Sequence, residues 1–444
     1  MAASGELPEV LARLDRHTNF ETLANSGVAA GRVAGLSLDP MRRLCTLLGD
    51  PQDSVPAIHI TGTNGKGSVA AMVSALVAAG GLTPGTYTSP HLERINERIR
   101  RNGEEIAEAD LAEVLGGVLD VVELMDAPAT WFEVVTAAAF RWFSEAAIDV
   151  SVVEVGLLGR YDATNVLDAD VSVITNIGPD HTDGAPGWEL AVASEKAGIV
   201  TPGRDVVVGA LMPELYSVVE AEGPSRILAL GRDLQVLDTE VAVGGRTVSV
   251  DTPWGRHDNL YIPLHGRHQA GNAALAIGAT EAFLDRELSP EVIESGLSQV
   301  SLPGRCEVVG HDPLVVLDGA HNRDAATALA TTLVEEFTTL GSRLLVVGML
   351  AGRDPRDVLG PLAEVGFDVV IVTAPPSPRS LDPSVLVAAA SDLGLATQVV
   401  ADPWAAVERA LAHAAEEDLV VVAGSFYLVG PARSAITSVH RSTN

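Results

Sequence analysis

The stretch from Ile58 to Val69, IHITGTNGKGSV, constrains the fold more than any other part of the chain. A short apolar run rich in β-branched residues passes into a turn that contains three glycines, and then into the run VAAMVSALVAAG. A short apolar run of this kind is typical of a buried strand, and the segment after the turn has the composition and length of a helix. The sequence therefore predicts a strand, a phosphate loop and a helix, which together form a nucleotide-binding element.

The residue types in this turn suit a nucleoside triphosphate. Gly62, Gly65 and Gly67 let the backbone approach phosphate oxygens closely, and the helix N-terminus adds partial positive charge. Lys66 supplies a full charge for the β- and γ-phosphates, and Ser68 supplies a hydroxyl for Mg²⁺. The spacing departs from the general phosphate-loop pattern at the first glycine and between the lysine and the serine. We predict an ATP or GTP site rather than an ordinary tight βα turn.

Two further apolar runs, Asp149–Val155 and Asp170–Ile177, read as buried parallel strands with polar residues crowded at their ends. The first leads into Glu154 and the segment 156–165, and the second leads into the segment 176–183. Ligands of open α/β sheets bind outside the carboxyl ends of the strands. The three strand ends therefore predict one cleft.

Glu154 and His181 at neighbouring strand ends suit a divalent ion that also touches ATP phosphates. Taken alone, His181 reads as a structural or hydrogen-bonding histidine, and only its combination with Glu154 and Ser68 favours a ligand. Glu133 is open to a second interpretation, since a carboxylate in the first turn of a helix also favours the helix dipole.

The length of 444 residues predicts at least two domains. From about residue 300, strands near 314–317, 343–348, 368–373 and 419–423 alternate with predicted helices, which is the pattern of a doubly wound α/β sheet. We place the boundary at the kinked segment 301–305, so that residues 1–299 form an N-terminal ATP-binding domain and residues 300–444 a smaller, Rossmann-like α/β domain.

A formal net charge of −30 argues against sequence-independent nucleic-acid binding and favours a soluble monomer or small oligomer, of which we expect the monomer. An anionic substrate must then be attracted by a local cluster of cations. Arg94, Arg98, Arg100 and Arg101 are either such a cluster or a charge-mixed surface. Two distant cysteines, and no apolar run long enough to cross a membrane, predict a reducing cytoplasm and no membrane partner.

Seven motifs, in this order, carry a resemblance to a known family: GTNGKGS (62–68), TSPHL (88–92), DATN (162–165), DHT (180–182), EKAGI (195–199), LPGR (302–305) and DGAHN (318–322). The chain resembles folylpolyglutamate synthase and the bifunctional dihydrofolate synthase, members of the Mur ligase superfamily. The resemblance implies a two-domain Mur-ligase-like α/β fold, folate biosynthesis and one-carbon metabolism.

The resemblance also implies roles for individual residues. For ATP they are Gly62, Thr63, Asn64, Gly65, Lys66, Gly67, Ser68, Asn272, Arg305 and Asp318. The metal ligands implied for two Mg²⁺ ions are Ser68, Ser89, Glu154, His181 and a carbamylated Lys196. The substrate contacts implied are Thr130, Trp131, Phe132, Glu133, Arg160, Tyr161, Asp162 and Ala163, with Phe132 against a flat ring and Asp162 pairing with its N–H donors.

The activity implied is ATP-dependent addition of L-glutamate to dihydropteroate or a reduced folate through an acyl phosphate. Lys66, Lys196 and His321 are the expected catalytic residues, and His321 is assigned to the incoming amine or to the intermediate. Phosphorylation is needed because a carboxylate is a poor electrophile at neutral pH, and Lys66 offsets repulsion between the approaching anions.

Three positions depart from the family's usual pattern, namely Leu158, the stretch 183–188 and Cys306. If position 158 requires a positive φ, leucine there costs strain or shifts the loop. These departures leave two alternatives open. One is a Mur-type ligase that joins a different amino acid and carboxylate. The other is a nucleotide-hydrolysing regulator, for which the cluster of Asp318 and His321 would have no use.

Overall fold

The structure is a computed structural model that describes residues 6–21, 30, 37–179, 182 and 186–442. Its largest sheet has eight strands in the order β4-β3-β2-β5-β1-β6-β7-β8. They are β1 (Ala57–Thr61), β2 (Pro84–Tyr87), β3 (Ile99–Arg101), β4 (Glu104–Glu105), β5 (Val150–Glu154), β6 (Val171–Ile174), β7 (Asp205–Val208) and β8 (Arg226–Ala229). The six neighbouring strands β2, β5, β1, β6, β7 and β8 are parallel. At one edge of the sheet β3 pairs antiparallel with β2, and β4 pairs antiparallel with β3. The predicted parallel strands are therefore confirmed, and β5 and β6 flank β1.

A second sheet has three antiparallel strands in the order β11-β10-β9, formed by β9 (Gln235–Ala242), β10 (Gly245–Asp251) and β11 (Arg256–Ile262). The glycine pair Gly244-Gly245, a sequence that predicts a hairpin, lies at the turn between β9 and β10. A third sheet has the order β12-β13-β17-β14-β15-β16. Its strands are β12 (Glu307–His311), β13 (Leu314–Asp318), β14 (Arg343–Val347), β15 (Val369–Val372), β16 (Thr397–Val399) and β17 (Leu419–Ala423). All pairs except β12 with β13 are parallel, as the alternating pattern predicted.

Helices cover both faces of the large sheets. Those before the third sheet are α1 (Leu7–Leu14), α2 (Asp39–Leu47), α3 (Lys66–Ala79), α4 (Glu108–Val122), α5 (Trp131–Glu145), α6 (Trp188–Ala197), α7 (Pro213–Glu220), α8 (His268–Leu284) and α9 (Pro290–Leu297). Those of the third sheet are α10 (Arg323–Glu336), α11 (Arg356–Ala363), α12 (Pro383–Asp392), α13 (Pro403–His413) and α14 (Phe426–Ser442). Within the described ranges, no helix is long and apolar enough to span a bilayer.

The first sheet is buried on both faces, which explains why its strands are apolar throughout. Val150 and Val152 of β5 pack with α3 and α8 on one face, whereas Val153 packs with α4 and α5 on the other. α3 is apolar around most of its circumference because it lies between the sheet and the helices α8 and α9.

Three helices were not predicted, namely α4, α7 and α14, and two of them, α4 and α14, contain glycine in their interior. A Cβ at Gly117 of α4 would lie 2.3 Å from the Arg141 side chain, and a Cβ at Gly430 of α14 would lie 2.0 Å from the Leu92 carbonyl oxygen. Glycine lowers intrinsic helix propensity, but here it permits close packing that compensates. The division at residue 299 stays a prediction. The strands of the first two sheets precede it, and those of the third follow it.

The third sheet is attached to the second by a buried ion pair. Arg246 of β10 contacts Glu336 at the end of α10, and both side chains are 1% exposed. The other Glu336 oxygen binds His265 Nδ1 at 2.9 Å, and the Gly266 N–H donates to Glu336 at 2.9 Å. Burial alone would raise the pKa of Glu336, but these donors and the Arg246 charge lower it overall. Glu336 is therefore held as a carboxylate at this junction.

We expect Arg246→Met to lower the free energy of unfolding by about 3 kcal/mol, because the Glu336 carboxylate would stay buried without its guanidinium. Urea denaturation measures the change. Glu335→Gln is the matched control, since Glu335 is the neighbouring residue and forms an exposed pair with Arg267 at 2.8 Å. That control should change stability by at most about 0.5 kcal/mol. Equal effects of the two substitutions would contradict the prediction.

Candidate active site

The phosphate loop lies between the end of β1 and the start of α3, as the sequence predicted. Gly62 and Gly65 have φ values of 152° and 83°, which glycine adopts readily. A Cβ at Gly62 would lie 1.8 Å from Thr175 Oγ1, and a Cβ at Gly65 would lie 2.7 Å from Asn272 Oδ1. Both glycines are thus required by close packing as well as by backbone conformation, and Asn272 of α8 is brought against the loop.

Hydrogen bonds hold the loop in a tight turn. The N–H groups of Thr63 and Asn64 each donate to Asn176 Oδ1 at 2.9 Å, and Thr175 Oγ1 donates to the Asn64 carbonyl at 2.6 Å. Lys66 Nζ donates to the Gly62 carbonyl at 3.0 Å, so its charge lies over the loop. Asn176, which follows β6, was not among the predicted site residues. Its position two residues after a strand that neighbours β1 was the available signal.

A cleft of about 380 Å³ opens beside this loop. It is lined by two parts of the chain, a first part that precedes residue 300 and a third-sheet part that follows it. The first part contributes the loop, Ser89, Glu154 and the segments around 130–133 and 156–163. The third-sheet part contributes Arg305, His321, Arg353 and Arg379, together with residues 424–427. The predicted convergence of strand ends on one cleft is therefore observed for β1 and β5, whose polar residues meet there.

Glu154 is the most deeply buried carboxylate at this edge. It is 2% exposed, and its Oε2 accepts from the Ser89 N–H at 3.0 Å. Burial raises the pKa of Glu154, while the charges of Lys66 and Arg305 oppose that rise. A Cβ at Gly67 would lie 3.5 Å from Glu154 Oε2, so the carboxylate lies against the first turn of α3, where Ser68 is also buried.

This donor set fits a divalent cation. A buried carboxylate and the hydroxyls of Ser68 and Ser89 are hard oxygen donors, which magnesium prefers. Among the residues that the structure describes, no group of three acidic, histidine or cysteine side chains forms a ready-made metal site. His181, the fourth expected ligand, lies outside the described residues. Its role as a ligand stays a prediction.

Lys196 lies at the end of α6 and is 4% exposed. A Cβ at Gly159 would lie 3.1 Å from Lys196 Cα, so the loop after β5 packs directly on this turn. Arg160 fastens the same loop, because its guanidinium donates to the Ser194 carbonyl at 3.0 Å and pairs with Glu222. The predicted substrate contact of Arg160 stays a prediction. In this structure its bonds connect the loop to α6 and α7.

Arg305, Asp318 and His321 form a second cluster across the cleft. The Arg305 guanidinium lies 4.1 Å above the Phe426 ring, and burial lowers its pKa against the opposing charges of Asp318 and Glu154. The Asp318 oxygens accept from the N–H groups of Cys306 and Ala320, each at 2.7 Å. Burial raises the pKa of Asp318 to about 6. The pKa of Arg305 therefore depends on a carboxylate from each part of the chain, Glu154 and Asp318.

His321 has a defined tautomer. Its Nδ1 lies 2.8 Å from the Gly319 carbonyl oxygen, which can only accept, so Nδ1 carries the proton. In the neutral ring Nε2 then holds the lone pair. The ring also packs edge-on to Phe426 at 6.1 Å. This arrangement gives the cleft a basic nitrogen of fixed orientation.

The predicted acceptor residues fall into two groups. Phe132, Tyr161, Asp162, Ala163, Thr130 and Glu133 line the cleft. Trp131 instead packs in the core at 5% exposure, with the Arg98 guanidinium 4.8 Å from its ring centre. Thr130 and Glu133 cap α5 reciprocally, at 2.7 and 3.2 Å, which places the Glu133 carboxylate at the helix N-terminus, where it also favours the helix dipole. A role for either residue toward substrate stays a prediction.

Asp162 is occupied within its own loop. Its oxygens accept from the Leu157 N–H at 2.7 Å, the Thr164 N–H at 3.0 Å and the Thr164 hydroxyl at 2.5 Å. Leu158 in the same loop has a φ of 60° and is buried, and its carbonyl accepts from Thr61 Oγ1 at 2.6 Å. Position 158 therefore does require a positive φ, and leucine there stores strain of the order of 1 kcal/mol. The altered residues Asp183 to Ala185 lie outside the described ranges.

The arginines at 94–101 have different environments. Arg94 and Arg100 pair with Glu105 at 3.0 and 3.4 Å, which fits the charge-mixed surface. Arg98 is fully buried and binds both oxygens of Glu21, at 2.9 and 2.7 Å. Burial opposes ionisation of Glu21, but the Arg98 charge outweighs it and lowers the pKa of Glu21. Glu21 also lines the cleft and was not predicted, because nothing near it in sequence marks its partner.

The chain matches two protein-family profiles. The Mur ligase middle domain matches residues 60–280, and the Mur ligase, glutamate ligase domain matches residues 304–426. The dihydrofolate synthase/folylpolyglutamate synthase of Mycobacterium tuberculosis is 39% identical over an alignment 440 residues long. The alignment covers 90% of this chain and 89% of that protein.

Solved structures of such enzymes have the same fold. Mycobacterium tuberculosis folylpolyglutamate synthase, complexed with ADP and AMPPCP, superposes with a TM-score of 0.87 at 36% identity, covering 97% of this chain and 98% of that one. Escherichia coli FolC, in complex with DHPP and ADP, has a TM-score of 0.85 at 30% identity, with 98% and 99% covered. The Yersinia pestis bifunctional enzyme, complexed with AMPPNP and an Mn ion, has a TM-score of 0.83 at 30% identity, with 98% of both chains covered.

Gly62→Ala should lower the free energy of unfolding by about 2 kcal/mol or more and weaken nucleotide binding, because the new Cβ would collide with Thr175 Oγ1 and displace the loop. Urea denaturation and titration with a fluorescent ATP analogue measure the two effects. Gly360→Ala is the control, since a Cβ there meets nothing within 4 Å. A Gly62→Ala variant as stable as the control would contradict the packing described above.

Asp318 should make stability depend on pH. Its carboxyl keeps its proton to about pH 6 in the folded chain, whereas an unfolded aspartate ionises near pH 4. The folded state therefore binds more protons between these values, and its stability falls as the pH rises through them, by up to about 3 kcal/mol. We expect the difference in unfolding free energy between wild type and Asp318→Asn to fall over this range. A flat difference would show that Asp318 titrates normally.

Proposed function

The chain belongs to the dihydrofolate synthase/folylpolyglutamate synthase family of Mur ligases, whose members are ATP-dependent glutamate ligases, and on that premise we propose that it joins L-glutamate to the carboxylate of dihydropteroate or a reduced folate. The observation that carries this proposal is the cleft itself. It combines a phosphate loop with a flat-ring pocket around Phe132 and with the cationic residues of the third-sheet part. A carboxylate, a pteridine ring and a triphosphate can each meet matching chemistry there.

ATP is assigned to the loop residues Gly62 to Ser68, with Asn272, Arg305 and Asp318 around the nucleotide. Three features support this assignment. Asn272 lies against Gly65, and Lys66 lies over the loop. Arg305 lines the cleft, and the Asp318 charge acts on its guanidinium. A magnesium ion would be held by Ser68, Ser89 and Glu154, and His181 and a carbamylated Lys196 complete the proposed set for two ions. Bound there, Mg²⁺ supplies charge neutralisation of the phosphates.

The first step forms the acyl phosphate. The acceptor carboxylate attacks the γ-phosphorus of ATP, a new P–O bond forms, and the bond to the ADP oxygen breaks. Lys66 lowers the repulsion between the two anions, and the N-terminus of α3 contributes its partial charge at the same place. The residues that converge from both parts of the chain exclude water, which would otherwise hydrolyse the acyl phosphate.

The second step forms the amide. The glutamate amine attacks the acyl carbon, phosphate leaves through a tetrahedral intermediate, and the amine loses one proton. Nε2 of His321 is the proposed acceptor of that proton, because the Nδ1 bond to Gly319 leaves the lone pair on Nε2. The pteridine is proposed to stack on Phe132, whose ring packs 6.1 Å from Tyr87 and is therefore held in place.

We propose a monomer in the cytoplasm, without nucleic-acid or membrane partners. The thiols of Cys45 and Cys306 are unpaired and buried, which fits a reducing compartment. The cations that line the cleft, in a chain of net charge −30, fit small anionic substrates more readily than a polyanion.

The proposed function is tested by ADP release with Mg-ATP and L-glutamate, with dihydropteroate and tetrahydrofolate compared as acceptors. Release that depends on dihydropteroate establishes the dihydrofolate synthase step, and release with both acceptors makes the enzyme bifunctional. Release with neither, while ATP binds, would refute the folate assignment and favour a Mur-type ligase for another carboxylate. Release without any acceptor would favour a nucleotide-hydrolysing regulator.

His321→Ala should lower turnover by about 100-fold or more while leaving ATP affinity within about twofold, because only the amine step uses Nε2. Steady-state ADP release and equilibrium nucleotide binding measure the two quantities. His413→Ala is the control, since His413 is exposed on α13 and bonds within its own helix, to the Arg409 carbonyl. Turnover equal to that of the control would remove His321 from the mechanism.

A further inference from the structure

The helix α10 connects the two parts of the chain at both of its ends. At its N-terminus Asn322 Nδ2 donates to Asn64 Oδ1 at 3.0 Å, and Asn64 Nδ2 lies 3.4 Å from Asn322 Oδ1. At its C-terminus Glu336 is buried against Arg246, His265 and Gly266. One helix of 14 residues, about 21 Å long, therefore spans from the phosphate loop to the second sheet.

The two attachments differ in strength. The Glu336 end is a buried charge with three partners, which is costly to separate. The Asn322 end is a neutral amide pair at the half-exposed margin of the cleft, and such a bond contributes little net free energy. The Glu336 end is thus the fixed attachment of α10, and the Asn322 end is the attachment that can break and reform.

Asn64 presents a rigid partner to this contact. Its N–H is held by Asn176 Oδ1, and its carbonyl accepts from Thr175 Oγ1. The Asn64 side chain thus projects from a backbone that is bonded on both sides, directly beside the positions assigned to the phosphates. The amide pair therefore joins Asn322 to a loop residue whose backbone is fixed by the segment that follows β6.

Asn322 directly follows His321 in the chain. It is the N-cap of α10, its Oδ1 accepting from the Ala325 N–H at 2.9 Å. The His321 carbonyl accepts from Arg353 at 2.8 Å, which adds a restraint within the third-sheet part. The amide pair bonds this restrained unit directly to the phosphate loop, and Asp324 in the first turn of α10 lies close to Gly178 beside the loop.

We propose that Asn322 is a positioning residue of the ligase reaction, which through its amide pair with Asn64 sets the distance between His321 and the acyl phosphate formed at the loop. The inference rests on the proposed function. It assigns Asn322 no contact with substrate, and it predicts that Asn64 and Asn322 act as one unit in the step that uses His321.

The test begins with Asn322→Ser. Serine keeps the N-cap of α10, but its hydroxyl is too short to reach Asn64. We expect kcat for ADP release to fall by about 3- to 10-fold, the effect of one neutral hydrogen bond, while ATP affinity and urea stability stay close to wild type. Asp382→Ser is the matched control, because Asp382 caps α12 in the same part of the chain by accepting from the Ser384 N–H at 2.8 Å. The control should leave kcat unchanged.

A double-mutant cycle with Asn64→Ser decides whether the two residues act together. If the amide pair carries the effect, the double variant should have the kcat of Asn64→Ser alone. Losses that multiply would mean that Asn322 acts independently of Asn64, and would overturn the proposal. Asn322→Ser with wild-type kcat would overturn it as well, while leaving the proposed function intact. A wild-type chain inactive with every acceptor would overturn the proposed function and this inference together.

Discussion

The turn between β1 and α3 is the constraint on which the rest of the structure depends. At Gly62 the chain passes so close to Thr175 that a Cβ would lie 1.8 Å from its Oγ1, and at Gly65 a Cβ would lie 2.7 Å from Asn272 Oδ1. These contacts come from β6 and α8, so the loop is shaped by elements far away in sequence. In return, the loop fixes where the first turn of α3 lies against Glu154 and where Asn64 meets Asn322. Two glycines thus set the geometry of the nucleotide site and of the junction.

The buried charges of the site offset one another's cost of burial. Lys66 and Arg305 oppose the rise in the pKa of Glu154, while Asp318 and Glu154 oppose the fall in the pKa of Arg305. Each group would be costly to bury alone, and each opposite charge offsets part of that cost in a cleft that must accept a triphosphate. Because the partners come from both parts of the chain, the electrostatics of the cleft exist only when those parts are assembled.

Much of the fold could be predicted because it depends on local pattern. The phosphate loop, the parallel strands β5 and β6, the hairpin after β9 and the alternating elements of the third sheet all follow from runs of apolar residues and from turn chemistry. Two of the three missed helices have the opposite cause. Helices α4 and α14 contain glycines whose purpose is visible only in the side chain of Arg141 and the carbonyl of Leu92, which lie elsewhere in the sequence.

The sequence by itself determined the class of chemistry, because phosphate binding and the ordered motifs rely on residue types at short spacing. Only the tertiary structure decided which of those residues face the cleft and which are bonded or packed elsewhere. It shows that Trp131 packs in the core, that Asp162 accepts hydrogen bonds from its own loop, and that Arg98 forms an ion pair with Glu21. It also pairs Asn64 with Asn322, which are 258 residues apart. Such pairings depend on how strands and helices pack, and no local pattern encodes them.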